Sequence, residues 1–185
     1  MRSSRRGACR RGPRAEGPGL LASHRRRPYS RPMERTVLGI PTAPLLLGLA
    51  GLLPFAWGAL TVLRPELADW GIRTIGPRFV GPYVGLFYGA VILSFMSGVI
   101  WGFATRAEPP VAAALYGLSV LPALWAFFFT GGGPTSAATY LIFGFLGLLG
   151  IDWTAQRLGL APDWWMRLRL ILTGGVVLCL LPVAL

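Results

Sequence analysis

The chain alternates between long apolar runs and short polar breaks, and the lengths of the runs are its clearest signal. Apolar residues dominate at about 40–63, 79–105, 111–129, 136–153 and 164–185. A helix needs roughly 20 mainly apolar residues to cross the hydrocarbon core of a bilayer, with a range of about 17–25. The first, second, third and fifth runs reach that length, and the fourth does so by extending to Trp153. No run carries an ionisable side chain near its middle. The pattern predicts an all-α integral membrane bundle of five transmembrane helices over residues 33–185.

The breaks read as loops. Arg64 to Arg78, "RPELADWGIRTIGPR", mixes proline, glycine and both signs of charge, while "RAEPP" and "TGGGPT" are tight turns. In "DWTAQRLGLAPDWW", Gly159 suits a helix C-terminus and Asp163 suits the N-cap of the last helix. Trp70, Trp153, Trp164 and Trp165 stand at run edges, where amphipathic rings favour the bilayer interface.

Inside the runs, small residues recur at helical spacing. Ala90, Ser94, Gly98 and Gly102 fall four apart and form one stripe on a helix. Apolar helices gain little hydrophobic energy by meeting in lipid, so they associate where small side chains let backbones approach. The stripe is therefore expected to be the packing seam of the bundle, with a dimer seam or ligand groove as the sharper alternative. Gly85 and Gly89 make a second four-spaced pair, and the first and fourth helices offer Gly48, Gly51, Gly58, Gly144, Gly147 and Gly150. Pro54 and Pro122 lie inside the first and third runs, where each frees a carbonyl four residues back.

Charge changes the picture only at one interface. Arg106, Asp152, Arg167 and Arg169 should gather there, with Asp152 paired to Arg169 or Arg167, because a lone carboxylate at that depth is costly. A site for a phosphate or lipid headgroup is the alternative reading of the cluster.

Composition narrows the function classes. The mean hydropathy is +0.56, too apolar for a soluble domain of this size. The net charge of +11 suggests a nucleic-acid partner until its distribution is read. Ten of the 18 arginines lie in residues 1–32, and from Met33 onward eight arginines face six acids. No nucleic-acid partner is expected. Residues 1–32 read as a disordered Arg-rich tail. Three origins stay open: translated sequence upstream of a start at Met33, a transit peptide, or a basic arm on anionic lipid. His24 is the only histidine, and the two cysteines, Cys9 and Cys179, are far apart. No metal, cofactor or disulfide framework is expected, and no nucleotide-binding or hydrolase motif occurs.

Four segments in order carry a resemblance: "IPTAPLLLGLAGLLPF", "YGAVILSFMSGVIWG", "SVLPALWAF" and "PDWWMRLRLILT". Together they resemble the bacterial DUF3429 family, which is related to the eukaryotic transmembrane protein 69. The resemblance implies a small multi-helix membrane protein and brings no catalytic residues with it. The expectation is a non-enzymatic interaction or accessory protein of a membrane complex or homo-oligomer, in contact with the lipid bilayer. Two alternatives remain. One is a small-molecule transporter or channel, with a polar cavity between the second, third and fifth helices lined by Ser94, Ser97, Ser119 and Thr173. The other is a lipid-handling protein. Arginine placement, five inside against three outside without the tail, favours an N-terminus inside and a C-terminus outside, and the resemblance implies a bacterial inner membrane. A transit peptide would instead point to the mitochondrial inner membrane.

Overall fold

The computed structural model describes residues 36–185, so the tail expected at 1–32 lies outside the described residues. Five helical stretches are long and apolar enough to cross a membrane: Thr42–Leu63, Pro82–Ala104, Pro109–Phe129, Pro134–Arg157 and Trp165–Ala184. The chain is a multi-pass, all-α membrane protein, as the run lengths predict.

A two-residue ladder precedes the first span, with β1 (Thr36–Val37) antiparallel to β2 (Ile40–Pro41). Leu38 and Gly39 close it with φ of 58° and 73°, the paired left-handed geometry of a two-residue hairpin turn. The first span is two helices, α1 (Thr42–Ala50) and α2 (Leu53–Leu63), separated at Gly51 and Leu52. Pro54 explains the break: without an amide hydrogen it cannot bond to the Ala50 carbonyl.

The segment Arg64–Arg78 corrects the sequence reading. It holds a helix, α3 (Pro65–Thr74), and a 3-10 turn, Pro77–Phe79. Proline at the first helical position costs no intrahelical bond, Glu66 lies in the positive first turn, and Arg73 lies in the last. Glu66, Asp69 and Arg73 share one face, while Leu67, Trp70 and Ile72 stay exposed. Trp57 Nε1 donates to the Phe79 carbonyl at 2.7 Å, and Thr61 Oγ1 accepts from the Gly81 amide at 3.0 Å. Both bonds tie the connection back to α2.

Helix α4 (Pro82–Ala104) packs against α2, α5 (Pro109–Phe129) and α6 (Pro134–Arg157), and α7 (Trp165–Ala184) packs on α6 and α2. The core between them holds Phe55, Leu86, Leu93, Leu141, Phe145 and Val176. The fourth span is longer than its apolar run, because the helix continues through Asp152, Thr154 and Gln156 to Arg157. It then ends as Gly159 predicts. Gly159 has φ of 69°, its amide bonds to the Gln156 carbonyl, and the Leu160 amide reaches the Ala155 carbonyl. These are the two bonds of a Schellman motif. Asp163, by contrast, does not cap α7, whose N-cap is Trp164 without a side-chain bond. Gln156 of α6 takes that role: its Oε1 accepts the Met166 amide at 3.2 Å.

The small-residue stripe also needs correction. The side of α4 that meets the bundle carries Gly85, Gly89, Leu93, Ser97, Ile100 and Ala104. Ser94, Gly98 and Gly102 are exposed, and Ala90 is half-buried. A β carbon at Gly98 or Gly102 meets nothing within 4 Å. The close approaches lie elsewhere. A β carbon at Gly58 would stand 3.2 Å from the Gly85 amide nitrogen, and one at Gly89 would stand 3.0 Å from Leu141. At Gly144 it would be 2.6 Å from Leu93. Gly85 and Gly89 are the seam of α4, one residue round the helix from the stripe.

Candidate functional site

The candidate site forms where the ends of α6 and α7 meet. Asp152, near the C-terminal end of α6, is fully buried. Arg169 lies in the second turn of α7 and is 3 % exposed. The Arg169 Nε donates to Asp152 Oδ2 at 2.6 Å, and Trp165 Nε1 donates to Oδ1 at 2.9 Å. Trp165 stands one turn before Arg169, so a single face of α7 presents both donors. A bare carboxylate at this depth would be costly, and the three groups together hold it as a neutral, bonded unit.

The other charges do not join it. Arg167 points to the hairpin: its Nη1 donates to the Leu38 carbonyl at 3.3 Å. A β carbon at Gly39 would stand 2.6 Å from that nitrogen, so the glycine makes room for the guanidinium. Arg106 is exposed at the turn between α4 and α5. Arg157 stacks over Trp153 at 3.8 Å from the ring centroid. Of the four residues expected to cluster, the structure brings only Asp152 and Arg169 together.

Beside this unit lies a cavity of 340 Å³. Phe55, Tyr88, Met96 and Phe145 form much of its apolar wall, and Arg169 and Thr173 supply polar groups from α7. Leu47 of α1 and Phe95 of α4 line it and are also exposed, so it reaches the outer surface of the bundle between those helices. It differs from the polar cavity anticipated between the second, third and fifth spans. Ser94 faces outward and bonds to its own Ala90 carbonyl at 2.8 Å. Ser97 donates to the Ser119 carbonyl and joins α4 to α5 three residues before Pro122, which lies inside α5. Only Thr173 of that set lines the observed cavity. The sequence marks Trp165 only as an interface ring, and nothing in it beyond the one-turn spacing to Arg169 signals the hydrogen bond to Asp152.

The family profile described as "Protein of unknown function (DUF3429)" matches residues 40–185. The chain belongs to the DUF3429 family. The DUF3429 region thus covers all five spans and both halves of the Asp152–Arg169 pair. The chain is similar to transmembrane protein 69 of Xenopus tropicalis, 34% identical over 149 residues, which covers 76% of this chain and 53% of that protein. It therefore spans about half the length of that relative. No solved structure matches.

Proposed function

We propose that this DUF3429 protein works without catalysing a reaction, as an interaction protein that packs against a partner inside the bilayer as an accessory member of a membrane complex. The observation that carries this reading is the outward line of Ser94, Gly98 and Gly102 on α4. Glycine lowers helix propensity by about 1 kcal/mol relative to alanine, and nothing among the described residues uses the space gained at Gly98 or Gly102. A second transmembrane helix could use it, since small residues allow close backbone approach in lipid. The engagement of both Asp152 oxygens favours a structural over an acid–base role for that carboxylate. On the strength of the arginine distribution we take the N-terminal side to be inside, and we take the membrane to be a bacterial inner membrane from the resemblance to the bacterial family.

Site-specific photocrosslinking tests the packing role. A photoreactive residue at Ser94 should give one discrete protein adduct in native membranes. The same residue at Leu178, which is exposed on α7, should give none. The adduct's mass identifies a second copy of this chain or a different protein. Equal crosslinking from both positions, or adducts with lipid alone, would remove the basis of the proposal.

A further inference from the structure

Two polar atoms beside the 340 Å³ cavity are buried and have no hydrogen-bond partner among the described residues: Arg169 Nη2 and Thr173 Oγ1. Their situation is unusual within this molecule. Thr61, Ser94, Thr139 and Thr154 all donate to a carbonyl four residues earlier in their own helices. That is the ordinary way a helix satisfies a hydroxyl in an apolar setting. Thr173 makes no such bond, although it is only 3 % exposed. Arg169 uses Nε for Asp152, which leaves Nη2 free on the same side chain. Residues 169 and 173 are one turn apart on α7 and line the same cavity.

An unbonded buried donor costs free energy, and more so in a low-dielectric interior. Two such atoms, on side chains one turn apart that line the same apolar cavity, point to a ligand that completes them. We infer that the cavity binds an uncharged, chain-bearing molecule with a carbonyl oxygen, which accepts hydrogen bonds from Arg169 Nη2 and Thr173 Oγ1.

Three features set this chemistry. The donors call for an acceptor oxygen. Asp152 already balances the Arg169 charge, so a carboxylate or phosphate would leave one buried negative charge uncompensated. The remaining wall is nearly all apolar, and the mouth lies between Leu47 and Phe95, side chains that face lipid. The ligand therefore enters from the bilayer, and its volume falls within the usual range for small-molecule cavities, about 300–1,000 Å³. Ring quinones and glycerol esters of fatty acids share this chemistry.

Thermal unfolding of the full chain in dodecyl maltoside, a detergent without a carbonyl, tests the inference. Four probes are compared: decylubiquinone, monoolein, oleate and decylbenzene. Decylubiquinone or monoolein should raise the unfolding temperature, and the one acting at lower concentration identifies the source as quinone or ester lipid. Oleate tests charge, and decylbenzene tests the carbonyl; neither should stabilise the protein. Thr173→Val removes one hydroxyl with little change of shape, and should require about three- to tenfold more ligand for the same shift. Ile92→Trp fills the cavity from α4 without touching the polar atoms, and should abolish the shift. The inference is overturned if neither carbonyl probe acts, if decylbenzene or oleate acts equally well, or if both variants respond like the wild type. Because the probe comparison needs no mutation, it decides the matter even where a variant fails to fold.

Discussion

At the scale of single residues, the Asp152–Arg169 pair is the most consequential contact in the molecule. Removing one partner strands the other charge out of water, which typically costs about 3–5 kcal/mol. Asp152→Asn and Arg169→Gln are each expected to lower the unfolding temperature sharply, and the double variant should cost less than the sum of the two. Unfolding curves of the three proteins in one detergent check this, and simple additivity would show that the charges do not depend on each other. Trp165→Phe keeps the ring but loses the bond to Asp152 Oδ1, and should cost about 1–3 kcal/mol by the same measurement. The pair was legible from sequence because a carboxylate at that depth demands a cation, and Arg167 and Arg169 lie in the first turns of the next span, at the same interface. The choice between them was not legible. It depends on which face of α7 each occupies, and the Leu38 carbonyl claims Arg167.

At the scale of elements, the glycine contact between α2 and α4 and the outward stripe of α4 make opposite predictions. Gly58→Ala places a methyl 3.2 Å from a backbone nitrogen, where only separation of α2 from α4 gives relief. It should destabilise by about 1–3 kcal/mol. Gly98→Ala meets nothing and should leave stability unchanged or raise it by up to about 1 kcal/mol. Paired melting curves of these variants separate the seam from the outward stripe. The stripe misled because α4 is apolar on all sides. In a soluble helix the polar face marks the outside, but a membrane helix exposes Phe87, Val91 and Phe95 as readily as it buries Leu93. Small-residue spacing alone then cannot distinguish two lines one residue apart. Helix α3 was missed for a different reason. Proline, glycine and charge within 15 residues look like a loop unless the shared face of Glu66, Asp69 and Arg73 is noticed.

At the scale of the whole molecule, run length made the five spans visible, because hydrocarbon thickness fixes a helix length that few other structures require. The cavity was not visible, because its wall draws on α1, α2, α4, α6 and α7, and no linear pattern records such a meeting. Orientation is a property of the same scale. With the N-terminal side inside, a cysteine at Arg106 should be shielded from a membrane-impermeant thiol reagent in intact cells, and one at Arg73 should be labelled. Cys9 and Cys179 are replaced by serine and alanine for this comparison. The reverse labelling pattern would invert the topology. The Asp152–Arg169 contact also bears on biogenesis. Its members are 17 residues apart, and the acid leaves the ribosome first. Until α7 follows, α6 carries a carboxylate with neither its guanidinium nor its indole, and its last turns have no stable place in the hydrocarbon. A chain truncated before α7 is therefore expected to hold its fourth span less firmly in the bilayer than the full chain, which protease protection of the two would check.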